Sequence, residues 1–128
     1  MNAAEVIKCI AFEGTGLNLI ARIAGDDGEL IEQSDASTIT CRVFDLADTS
    51  ATVAEPAVDV SASIFNSLQV DRRWSADSVG YNFRFRLPGA SRPDGDKCYR
   101  VEFWFEPSGD GEPFALAYEI ESPELFSV

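Results

Sequence analysis

The chain has 128 residues, 22 Asp and Glu against 10 Lys and Arg, a net charge of −12 and no histidine. That length holds one domain, and 45% hydrophobic with 25% charged residues is a globular composition. The missing histidine excludes Ser-His-Asp and Cys-His catalysis and His-ligated zinc, and the acidity argues against nucleic acid, whose phosphates need a basic surface.

Period-2 alternation dominates the chain. Val6 to Phe12 is mostly apolar, and Gly14-Thr15-Gly16 breaks the run. Leu17, Leu19, Ala21 and Ile23 then share one face, with Asn18 and Arg22 on the other. Gly25-Asp26-Asp27-Gly28 reads as a hairpin turn, because Asp and Gly tolerate positive φ. After the patch Leu30-Ile31, the residues Ile39, Cys41 and Val43 alternate with Thr40, Arg42 and Phe44. Residues 45–62 are the least patterned; Val58 and Val60 suggest a short strand. Ile64 to Leu68 reads as one helical turn or an irregular crossover.

The second half is plainer. Tyr81, Phe83, Phe85 and Leu87 face one way, and Asn82, Arg84 and Arg86 the other. Pro88-Gly89 stops that strand, and Pro93-Asp94-Gly95-Asp96 makes a turn. Tyr99, Val101, Phe103 and Phe105 alternate with Arg100, Glu102, Trp104 and Glu106. After the turn Pro107 to Gly111, a last strand carries Phe114, Leu116, Tyr118 and Ile120. About seven strands and no long helix predict a single all-β domain over 1–128. The expected architecture is an antiparallel sandwich with one buried face per sheet.

The N-terminus has no basic segment followed by an apolar one, so no signal peptide is expected. Apolar runs fall far short of the roughly 20 residues a membrane span needs. Cys9, Cys41 and Cys98 form no CxxC pair; they read as free thiols acting as small hydrophobes, or as one disulfide with a third cysteine left over, a pattern suited to assembly inside a cell.

Candidate chemistry is sparse. The acidic turns at 26–29, 94–96 and 110–112 resemble calcium loops but lack the EF-hand spacing. Asp-Gly there also suits a hairpin for steric reasons alone. Glu102 with Glu106, and Glu119 with Glu121, read as solvent faces of strands, not as catalytic pairs. No catalytic, cofactor or metal residues are expected.

Charge distribution says more. Residues 1–70 carry a net −8, residues 71–100 a net +3, and residues 101–128 a net −7. The basic exception centres on Arg72, Arg73 and Trp74 and on Arg84 and Arg86. Trp and Arg together are an interface-like composition. Trp104, on the polar face of its strand, joins this set of interface candidates. Arg84 and Arg86 are also expected to pair across strands with Glu102 and Glu106.

The run Leu17 to Val43, then Gly80-Tyr81-Asn82-Phe83 and Gly95 with Tyr99-Arg100-Val101, resembles immunoglobulin-like domains of bacteriophage tail, baseplate and capsid-decorating proteins. The resemblance covers roughly 17–121. It implies a noncatalytic virion component, assembled in the host cytoplasm, that contacts capsid or tail subunits and self-associates, with no nucleic-acid or membrane partner. The alternative reading is a calcium-dependent or carbohydrate-binding sandwich that uses the Asp-rich turns and an exposed Trp.

Overall fold

The apolar members of each alternating run must leave water together, and two facing sheets achieve this. A computed structural model describes residues 6–25 and 27–125. It shows an all-β sandwich of seven strands: β1 (Val6–Ile10), β2 (Leu17–Ala21), β3 (Ala36–Asp45), β4 (Ile64–Gln69), β5 (Tyr81–Leu87), β6 (Lys97–Pro107) and β7 (Phe114–Ser122). One sheet has the order β1-β7-β6-β3 and the other β2-β5-β4. The second, fifth and fourth strands facing the third, sixth and seventh is the immunoglobulin order. One pair departs from the antiparallel expectation: β1 lies parallel to β7, with Val6 opposite Ala117 and Ile10 opposite Glu121.

The core is aromatic. Phe103 is fully buried, with the Phe83 ring of the facing sheet 5.1 Å away and edge-on. Phe85 lies 5.5 Å and Tyr118 6.0 Å from the same ring. Such edge-to-face contacts add to the area each ring hides from water. Cys41 of β3 and Val101 of β6 are buried, and all three cysteines are free thiols. Packed rings of β5 and β6 join the sheets, whereas an antibody domain has a disulfide between its second and sixth strands. Burial pushes the Cys41 thiol pKa up to about 12 and raises that of half-buried Cys9. Cys98, by contrast, is exposed.

Three polar residues fix the frame. The Tyr99 hydroxyl donates to the Asp94 carbonyl at 3.1 Å and accepts from the Asp94 N–H at 3.2 Å. A tyrosine at the start of the sixth strand, bonded to backbone a few residues upstream, is the tyrosine corner of immunoglobulin sandwiches. Asn82, fully buried, accepts from Ile23 N–H at 2.6 Å and donates to the Ile23 and Ile31 carbonyls at 2.9 and 3.0 Å. It thereby holds the chain beyond β2 against β5. The preceding Gly80 has φ +112°, and a Cβ there would sit 2.5 Å from the Gln69 carbonyl oxygen, so only glycine fits.

The third is Arg92, also fully buried. Its Nη1 donates to the Ala11 and Phe12 carbonyls at 3.1 and 3.2 Å and to the Ser122 hydroxyl at 2.8 Å. Its Nη2 donates to the Thr15 carbonyl. Only Nε, among the buried side-chain polar atoms described, lacks a partner. The Gly14-Thr15-Gly16 break wraps around this guanidinium, and Gly14 N–H returns a bond to the Arg92 carbonyl at 2.9 Å.

Two local expectations are corrected. Val58 and Val60 form no strand: Val60 opens a single helical turn, α1 (Val60–Ser63), capped by the Asp59 side chain. Residues 46–58 instead run along the outer edge of β3, where Ala54 and Ala57 bridge to Val43 and Thr40. Ile64 to Leu68 is neither a helical turn nor a crossover but β4, which meets β5 only at Ile64 and Gln69. Its irregular register explains the missing alternation.

Candidate functional site

The six interface candidates do not form one patch. Arg72, Arg73 and Trp74 lie in the loop between β4 and β5. That loop is organised by two aspartates. Asp71 accepts from Arg73 Nη2 at 2.8 Å, Arg73 N–H at 2.9 Å and the Tyr81 hydroxyl at 2.6 Å. Asp77 accepts from Trp74 Nε1 at 2.8 Å, Val79 N–H at 2.9 Å and Gly80 N–H at 3.2 Å. It also pairs with Arg22 at 2.7 Å, whose guanidinium sits 5.8 Å from the Trp74 ring. On its other side Trp74 stands 5.8 Å from the Tyr81 ring. Arg73 and Trp74 are thus occupied within the chain, while Arg72 is exposed.

The hydrogen bond from Arg73, then that from Tyr81, holds the Asp71 carboxyl well below its ordinary 3.8. Trp74 first and Arg22 second do the same for Asp77. A carboxyl whose pKa is lowered by folding stabilises above its ordinary value and ceases to do so as pH falls through the lowered one. Acidification below 3.8 is therefore expected to release the loop before the sandwich melts. Trp74 fluorescence in a Trp104→Phe variant, titrated beside far-ultraviolet circular dichroism, checks this. Coincident transitions would refute it.

Arg84 and Arg86 stand on the outer face of the three-stranded sheet, opposite Ile20 and Asn18 of β2. The expected pairing with Glu102 and Glu106 does not occur, because those glutamates are on β6 in the other sheet. Arg84 lies over the Phe65 ring at 5.4 Å. Arg86 crosses Gly16 so closely that a Cβ there would be 2.8 Å from its Nη2. Among the described residues, Arg72, Arg84 and Arg86 have no carboxylate within 4.0 Å.

Trp104 is on the opposite side of the sandwich, 46% exposed on the outer face of the four-stranded sheet. Its Nε1 donates to Glu106 at 2.7 Å, which fixes the indole. Across the strands, Ala115 faces Trp104 and Ala117 faces Glu102, so two small side chains floor a groove of about 300 Å³ walled by Trp104 and Val6. Arg100, bonded to Glu102 at 2.7 Å, and Arg42 border it. The groove carried no sequence signal, since it needs the register of β6 against β7.

The first acidic turn serves its own backbone. Asp27 accepts from Glu29 N–H at 3.0 Å, and Gly28 takes φ +83°; Asp26 lies outside the described residues. Among the described residues no three Asp, Glu or Cys side chains are grouped to hold a metal ion, and no helix is long and apolar enough to cross a membrane. Comparison with protein-family models, curated proteins and solved structures finds no match.

Proposed function

We propose that this chain is a noncatalytic structural protein of a bacteriophage particle, an accessory sandwich that docks on capsid or tail subunits through the cationic face of its three-stranded sheet. One observation carries the docking surface. In a chain of net charge −12, Arg84 and Arg86 project from one sheet face with no carboxylate partner among the described residues. Cations left unpaired in so acidic a molecule suit an anionic protein surface, where they steer encounter and fix orientation. Two arginines and exposed Arg72 are too few to hold a nucleic-acid backbone against the rest of the chain.

The virion placement is supported by the resemblance of Gly80-Tyr81-Asn82-Phe83 and Gly95 with Tyr99-Arg100-Val101 to phage domains. Gly80, Asn82 and Tyr99 build the frame of the sandwich, so these positions speak for its fold; the partner is read from the arginine face. The test is retention of the purified chain by capsid and tail subunits encoded in neighbouring genes. Binding is expected to weaken with salt, and Arg84→Glu with Arg86→Glu is expected to weaken it by about tenfold or more. No retention by any of those subunits, or retention indifferent to the double substitution, overturns the proposal.

A further inference from the structure

The outer face of the four-stranded sheet, opposite the arginine face, has different chemistry. It is close to neutral in a molecule of net −12. Three cations, Lys8, Arg42 and Arg100, stand among four carboxylates of the strands, Glu102, Glu106, Glu119 and Glu121, and a fifth, Glu55, reaches Arg42 at 4.0 Å from the segment along the edge of β3. The signs interleave: Lys8 and Arg100 both lie opposite Glu119, and Arg42 lies opposite Glu102. The face also combines a projecting ring with a recess beside it, Trp104 and the groove over Ala115 and Ala117.

We infer that this face is an isologous interface and that its occupant is a second copy of the chain. A two-fold axis lying in the plane of the interface, parallel to the sheet, brings the same surface against itself, so a residue and its complement must both be present on it. Trp104 and the alanine-floored recess supply that complement in shape. The interleaved charges supply it in sign. The other surfaces disfavour being set against themselves, because the acidic ones and the arginine face each carry one sign of charge and repel their own copy. The face is also large enough. Strands of 5, 10, 11 and 9 residues, at about 3.3 Å per residue and about 4.8 Å between strands, cover roughly 560 Å². Two copies then bury about 1,100 Å², which clears the roughly 1,000 Å² expected of a specific contact. Trp104 is the anchor, rigid through its bond to Glu106 and carried by β6, an inner strand of the sheet.

The test is sedimentation velocity over a dilution series of the purified chain. The expected species at high concentration has twice the 14.0 kDa of one chain. Ala115→Arg fills the recess from an exposed position, and is expected to weaken association at least about tenfold, or about 1.4 kcal/mol, with the dichroism spectrum unchanged. Trp104→Ser, which removes the projecting ring instead, is expected to do the same should the first variant fold poorly. Arg84→Glu with Arg86→Glu, on the other face, is expected to leave the dimer intact, so this result is separable from the docking experiment. A chain that sediments as a monomer at every concentration overturns the inference. So does a dimer that survives both Ala115→Arg and Trp104→Ser, or one that only the arginine-face variant dissolves.

Discussion

Arg92→Met is expected to lower the stability of the fold by about 2–4 kcal/mol. The methionine keeps most of the apolar stem, so the loss isolates the guanidinium. That group joins three segments distant in sequence: the loop at 11–15, the turn that carries Arg92, and the end of β7 at Ser122. Without it the Ala11 and Thr15 carbonyls and the Ser122 hydroxyl lose the donor they share. Burial lowers the Arg92 pKa from the ordinary arginine value, yet arginine stays charged in proteins. Removing a cation buried without a carboxylate partner among the described residues recovers part of its desolvation cost, which is why the expected loss stops short of the sum of the bonds. Arg92→Lys is expected to lose less, since one ammonium keeps the charge but cannot reach in both directions of the fork. Urea midpoints at unchanged slope measure both variants. A midpoint for Arg92→Met equivalent to within about 0.5 kcal/mol of the parent would show the guanidinium to be dispensable.

Phe103→Ala is expected to cost about 3–5 kcal/mol, the usual range for removing a buried aromatic ring. Phe103 meets Phe83 and Phe85 across the sandwich and Tyr118 within its own sheet, so the cavity opens where the two layers join. The adjacent residue provides the control. Trp104 is larger but faces solvent, and Trp104→Ala is expected to cost about 1 kcal/mol or less. The comparison belongs in the Ala115→Arg background, where self-association adds little to apparent stability. Equal losses at the two positions would contradict the assignment of inner and outer faces on β6.

The strands most legible in the sequence were those with one wet and one dry face. In β6 and β7 the alternation of aromatic and aliphatic residues with polar or small ones marks burial directly, and the structure buries Tyr99, Val101, Phe103 and Phe105 on one side of β6; β5 breaks the rule at Asn82, whose pattern sets it with Arg84 and Arg86 but which is fully buried. β4 was not legible, because only its two ends pair and no alternation is imposed between them. The parallel placement of β1 was hidden too, since a strand's own pattern says nothing of its neighbour's direction. Among the candidate residues, composition located the unpaired arginines but not their neighbours. The spacing of Arg84 and Arg86 matches that of Glu102 and Glu106, but those glutamates belong to the other sheet. Arg92 was missed altogether: an arginine between Ser91 and Pro93 has the look of any polar turn, and only the return of the 11–15 loop makes it an interior residue.

The parallel pairing of β1 with β7 has a mechanical meaning. Because the two strands run the same way side by side, the chain enters β1 at one end of the sandwich and leaves β7 at the other. A pull applied along the chain from both sides acts along the strands. It strains the whole ladder from Val6–Ala117 to Ile10–Glu121 together, and the strands cannot separate one bond at a time as a hairpin peeled from its tip does. The domain is thereby built to resist tension along its long axis more strongly than force across it.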